Sequence, residues 1–154
     1  MTPLDLVKLP RLMELSAGRP EFAVGLIDGP VAIGHPDLAG KIWGVPGSSG
    51  RSCAEATSAA CLHGTFVAGV LSARRGSPAP AICPDCTLIV RPVFAEAATE
   101  NLDSPSAEPE ELAAAIPFAS AVQEFYLTNP IARASRTMAE CSTLAEAHAR
   151  RAAE

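Results

Sequence analysis

The sequence predicts an α/β fold built around a parallel sheet, and three features carry that expectation. Two short, almost wholly apolar runs stand at residues 22–27 (FAVGLI) and 87–94 (TLIVRPVF). Runs of this length, bounded by turn residues, suit strands covered on both faces. Between them, HGTFVAGVLSARR (63–75) has helical spacing, and PEELAAAI (109–116) follows the second run. Strand, helix, strand, helix is the rhythm of a layered α/β domain.

The elements follow in order. Residues 4–17 suit a short amphipathic helix with Leu4, Val7, Leu12 and Leu15 as buried candidates, limited in length by Pro10. The run at 22–27 ends at Asp28-Gly29-Pro30, and HPDLAGKI (35–42) reads as a turn leading into a brief extended piece. GVPGSSGRSCAEATSAA (44–60) is a Gly/Ser/Ala loop, too poor in bulky residues to pack by itself. In the helix after it, Phe66, Val67, Val70 and Leu71 fall on one side. GSPAPAICPDC (76–86) is a second loop ahead of the second strand, and the polar stretch 96–109 is expected to be exposed. Pro109, Glu110 and Glu111 open the last helix well, with the acidic pair at its positive dipole end. Pro117 is expected to stop or kink it. Beyond, residues 131–154 form a helical stretch of Ala, Arg and Glu whose bulky aliphatic residues are Ile131, Met138 and Leu144.

Composition bounds the function. A chain of 154 residues with 48% apolar and 19% charged residues suits one globular domain. Its net charge of −5 gives no basic field to recruit phosphate backbones, so nucleic acid is not an expected partner. The N-terminal MTPLDLVKLPRLMEL lacks the continuous apolar stretch of a secretory signal, and no window suits a membrane span. A cytoplasmic location, with no membrane partner, is the expectation. Five cysteines is an odd number. In a reducing compartment, free thiols are the first reading, ahead of a loop disulfide and of a metal site.

Two segments carry chemistry. VGLIDGP (24–30) ends a buried strand with a carboxylate, Asp28, and CLHGTFVAG (61–69) places His63 at the start of a helix. Functional groups in open α/β sheets collect at the carboxyl ends of strands and in the loops that follow, so the two are placed to meet. Gly64 and Gly69 weaken that helix by about 1 kcal/mol each relative to alanine. Close approach of another backbone is the usual compensation.

HGTFVAG (63–69) resembles the subtilisin-family histidine signature H-G-T-x-V-A-G at every fixed position. GLIDGPVAIGHPDL (25–38) is similar to the family's aspartate segment, and AICPDCTLIVRPVF (81–94) to the strand segment that follows. The similarity covers roughly residues 20–116. Gly29-Pro30 after the aspartate, where most members have Asp-Ser-Gly or Asp-Thr-Gly, and Pro92 in the later strand resemble the branch that matures cyanobactin-type peptides.

The resemblance implies an incomplete subtilisin-like parallel sheet flanked by helices. It divides the chain into a helical lead-in (1–20), the N-terminal part of a peptidase domain (20–116) and a divergent Ala-rich tail (117–154). It implies serine-type endopeptidase chemistry on a peptide or protein substrate, with Asp28 orienting His63 and His63 acting as general base, and no cofactor. The family's G-T-S-x-A segment does not occur in these residues; Ser48, Ser49 and Ser77 lie in unrelated settings. The expectation is therefore a truncated or frameshifted chain, inactive alone, with another chain as one source of the serine half. The alternative is a non-catalytic pseudo-protease or peptide-binding module.

Lesser sites follow. Cys83-Pro84-Asp85-Cys86 is a C-x-x-C, with Cys53 and Cys61 in the earlier loop. Four thiolates can make a zinc site, but the eight-residue separation of the first pair is atypical and the C-x-x-C precedes a strand. Asp37 matches a position that supplies a calcium ligand in many subtilases. Calcium needs about six to eight oxygens, and the nearby ARRGSPAP offers arginines, so Asp37 is read as a turn residue with no metal. His35 is read as a turn cap and His148 as solvated.

Overall fold

A computed structural model describes residues 3–38, 42–44, 52–96 and 107–128. Three parallel strands form its sheet: β1 (Ala23–Asp28), β2 (Ile42–Gly44) and β3 (Thr87–Pro92), in the order β1-β3-β2. β3 is central, pairing with β1 from Ala23↔Thr87 to Asp28↔Pro92 and with β2 from Ile42↔Leu88 to Gly44↔Val90. That position explains the unbroken apolar run Leu88-Ile89-Val90, which is buried throughout. Pro92 is tolerated because it closes the strand.

Four helices accompany the sheet: α1 (Pro3–Leu6), α2 (Leu9–Leu15), α3 (Ala59–Ser72) and α4 (Pro109–Thr128). The core joins Leu26, Leu88, Val90 and Ile42 of the sheet to Val31, Leu38, Ala68, Ala73 and Ala81, with Val67 and Leu71 of α3 packed at its margin. Period-two alternation turns Ile89 and Ala23 to the other face. There α4 crosses β1 and β3 with Ala115 buried. No helix among the described residues is long and apolar enough to cross a membrane.

Three sequence expectations need correction. The lead-in is two short helices rather than one, because Lys8 takes a left-handed conformation (φ 58°) between them. Val7, Leu12 and Leu15 are exposed, so the apolar stripe read along 4–17 does not face the core. The lead-in is held by polar contacts instead: the Arg75 guanidinium donates to the carbonyls of Met13 and Ser16 (both 2.7 Å) and Ile82 (3.1 Å). Phe66 and Val70 of α3 are also exposed, and only Val67 and Leu71 of that expected stripe reach the core. Pro117 does not stop α4, which runs on to Thr128. A proline removes one N–H, leaving the Ala113 carbonyl without its helical donor. Ala113 lies on the exposed side, where water can replace that donor. The reading of a helix over 131–154, with Ile131, Met138 and Leu144, lies outside the described residues, as do Cys141 and His148.

Candidate active site

Asp28 is the last residue of β1, and the chain beyond β3 fixes it there: the Val93 N–H donates to the Asp28 carbonyl at 2.8 Å. Its side chain is largely buried, and Oδ1 accepts from the Gly29 N–H at 2.6 Å. His63 is the fifth residue of α3, and its Nδ1 lies 2.8 Å from the same Oδ1. The carboxylate can only accept, so Nδ1 carries the proton and Nε2 is left with its lone pair. The two residues singled out in the sequence therefore meet.

α3 reaches the strand tip because its inner face is small. Ala60, Gly64 and Ala68 follow one another at four-residue spacing and are buried. A side chain on Gly64 would lie 2.5 Å from the Pro30 carbonyl and 2.6 Å from that of Gly29, and one on Gly29 would collide with the Ala60 carbonyl. Close backbone approach thus accounts for Gly64 but not for Gly69, which has open space around it. Thr65 completes the contact, its hydroxyl accepting from the Ala32 N–H at 2.9 Å. In His63-Gly64-Thr65, the first residue meets the carboxylate, the second lets the backbones close and the third ties down the loop after the strand.

The pair opens onto a cleft of about 320 Å³ lined by Asp28, Ala59, Ala60, His63 and Phe94. Its walls are mostly apolar, and the His63 side chain is 64% exposed toward solvent while that of Asp28 is 13% exposed. An oriented imidazole with a free Nε2 beside such a cleft can take a proton from a hydroxyl and return it to a leaving group.

The start of α3 is held from two directions. Cys53 and Cys61 are joined by a disulfide, which corrects the expectation of free thiols for that pair. The two sulfurs and the Glu96 carboxylate are grouped within 4.8 Å. Glu96 was not foreseen: Oε2 accepts from the Ala54 N–H (2.8 Å), and Oε1 accepts from the Glu55 N–H (3.1 Å) and the Ser58 hydroxyl (2.9 Å). Burial would raise this carboxyl, yet the three hydrogen bonds together outweigh it and hold the group below the ordinary carboxylate range. One acidic residue in a polar stretch carried no sequence signal for this role.

The other site readings resolve as follows. Asp37 pairs with Arg74, whose guanidinium donates to its Oδ1 at 3.2 Å while the Arg74 N–H donates to its carbonyl at 3.0 Å. His35 Nδ1 accepts from the Asp37 N–H at 3.2 Å, a turn cap. Cys83 and Cys86 remain thiols. Burial, then the neighbouring Cys86, push the Cys83 thiol above its ordinary value, with Arg75 opposing, so its thiolate is disfavoured.

Solved structures place this geometry in a class. The chain is similar to the prenylagaramide maturation protease PagA, with 27% identity, a TM-score of 0.55 and 75% of this chain covered. It is similar to the PatG macrocyclase in complex with peptide (16% identity, TM-score 0.54, 78% of this chain). It is similar also to a mutant of the protease domain of PatA (22% identity, TM-score 0.50, 70% of this chain). These are subtilisin-like proteins of cyanobactin maturation, and the fold of this chain is subtilisin-like. The chain spans 35% of the length of PagA, 35% of the PatA structure and 46% of that of PatG. A family profile for the C-terminal part of an NADH-ubiquinone oxidoreductase component matches residues 90–141, less than half the chain and outside Asp28 and His63. Comparison with curated proteins finds no match.

Proposed function

We propose that this chain supplies the Asp–His half of a subtilisin-like serine endopeptidase site, of the branch that matures cyanobactin-type peptides. The peptidase part is residues 20–116, preceded by the lead-in 1–20 and followed by 117–154. The observation that carries the reading is the 2.8 Å approach of His63 Nδ1 to Asp28 Oδ1 at the end of a parallel strand. Similarity to PagA, PatA and PatG supports it, and the peptide bound by PatG favours a peptide substrate here.

In the proposed reaction a serine hydroxyl attacks the scissile carbonyl and passes its proton to His63 Nε2. Asp28 accepts the Nδ1–H bond and stabilises the resulting imidazolium. His63 then gives the proton to the departing amine as the acyl–serine bond forms and the peptide bond breaks. Water completes the cycle by the same route, releasing the acid. The serine comes from a segment beyond these residues or from a second chain, since no Gly-Thr-Ser stands in the sequence. The chain alone is thus inactive. The Cys53–Cys61 bridge fits an oxidising compartment better than the cytoplasm.

A fluorophosphonate probe, which labels an activated serine, tests this reading. Expected is no labelling of the chain alone, labelling when it is co-expressed with a serine-bearing subtilase segment, and loss of that labelling in His63→Ala. Labelling of the isolated chain contradicts the proposal, as does labelling of the mixture that survives His63→Ala. Peptide binding by the chain, without labelling in any mixture, favours a non-catalytic module.

A further inference from the structure

We infer that Glu96 is a positioning residue for His63, acting through the first turn of α3. The inference rests on the reading of Asp28 and His63 as a working pair. Glu96 lies beyond β3, and its carboxylate reaches back some forty residues to the loop ahead of α3, where the Ala54 N–H, the Glu55 N–H and the Ser58 hydroxyl donate to it. Ser58 is also the N-cap of α3, its Oγ accepting from the Cys61 N–H at 3.2 Å. A hydroxyl has one proton and two lone pairs. With that proton committed to Glu96, the oxygen is turned toward the helix as an acceptor. The same link sets a negative charge near the positive end of the helix dipole.

The stretch 93–96 therefore holds both partners of the pair. At Val93 its N–H donates to the Asp28 carbonyl at 2.8 Å, and at Glu96 it fixes the cap of the helix that bears His63. Phe94, between them, lines the cleft. A site of this kind needs its groups held to within about 0.5 Å, and support of that kind comes from residues that never touch the substrate. The Cys53–Cys61 bridge restrains the same loop, so losing Glu96 loosens the pair without collapsing the fold.

The test follows the Nδ1 proton of His63 by NMR in the full, oxidised chain, the resonance being assigned by its absence in His63→Ala and Asp28→Asn. Backbone amides of Leu88 and Val90 report on the sheet. In Glu96→Ala the Nδ1 proton is expected to exchange with water about tenfold faster while those amides are unchanged, a local opening rather than global unfolding. Glu96→Gln replaces one acceptor oxygen with a donor and gives a smaller acceleration in the same direction. An unchanged exchange rate in folded Glu96→Ala overturns the inference. If Glu96→Ala does not fold, the rate in Glu96→Gln decides: faster exchange supports the inference, and an unchanged rate overturns it. A wild-type chain without the Nδ1 resonance overturns the pairing itself and the inference with it. A wild-type resonance that is insensitive to Glu96 overturns only the inference.

Discussion

The two sides of α3 solve different problems. Its inner side is a stripe of small residues, Ala60, Gly64 and Ala68, buried against the end of β1 and the loop that follows. Its outer side carries Leu62, Phe66 and Val70, all exposed, Phe66 at 69%. Hydrophobic volume thus does not decide which side of this helix faces the sheet. Proximity does: the imidazole of His63 reaches a carboxylate on a neighbouring strand only because the backbones around Gly29 and Gly64 approach closely. A bulkier inner stripe would hold more apolar surface and lose the 2.8 Å contact.

The sharpest way to break this comparison is a single methyl group. Gly64→Ala places a Cβ against two backbone carbonyls that cannot swing aside, at 2.5 and 2.6 Å. Overpacking of this kind costs about 1–3 kcal/mol, and we expect the upper end, read as a fall in the denaturant midpoint. A Gly64→Ala protein as stable as wild type would refute the close-approach argument.

Next in size is the bridge at the head of the helix. Reducing Cys53–Cys61, eight residues apart, is expected to lower stability by about 2 kcal/mol through release of a short loop. Comparing melts with and without reductant measures it, with Cys53→Ser showing no further response to reductant.

A smaller effect of opposite sign is expected at Gly69, which has open space where a Cβ would go. Gly69→Ala should stabilise the protein by about 0.5–1 kcal/mol, since alanine loses less backbone freedom in a helix. The same substitution five residues apart on one helix then gives opposite signs. Smallest of all is Phe66→Ser on the outer side, expected to stay within about 0.5 kcal/mol of wild type. A loss above 2 kcal/mol there would mean that the outer side is packed after all.

Much of this was legible in the sequence, and the parts that were not have physical reasons. The strands β1 and β3 are short apolar runs bounded by turn residues, and the central position of β3 leaves it no polar side to disguise the pattern. Asp28 and His63 could be picked out because each sits at an element's end within a distinctive motif. The lead-in misled because apolar residues at helical spacing can lie on an exposed side, and Arg75 holds that segment through backbone carbonyls that no side-chain pattern encodes. α3 misled for a related reason: periodicity counts bulky residues, whereas the buried stripe is alanine and glycine. The bridge between Cys53 and Cys61 was hidden by the reducing-compartment assumption. Glu96 was hidden because its partners are backbone N–H groups and a serine some forty residues earlier.

The most direct test of the central claim is the ¹⁵N spectrum of the His63 ring above its titration range. In free histidine the neutral ring carries its proton mainly on Nε2, whereas an imidazole donating to Asp28 must carry it on Nδ1. The account predicts a protonated Nδ1 and a bare Nε2 at His63, lost in Asp28→Asn. A wild-type ring with its proton on Nε2, or one indifferent to Asp28→Asn, would contradict it.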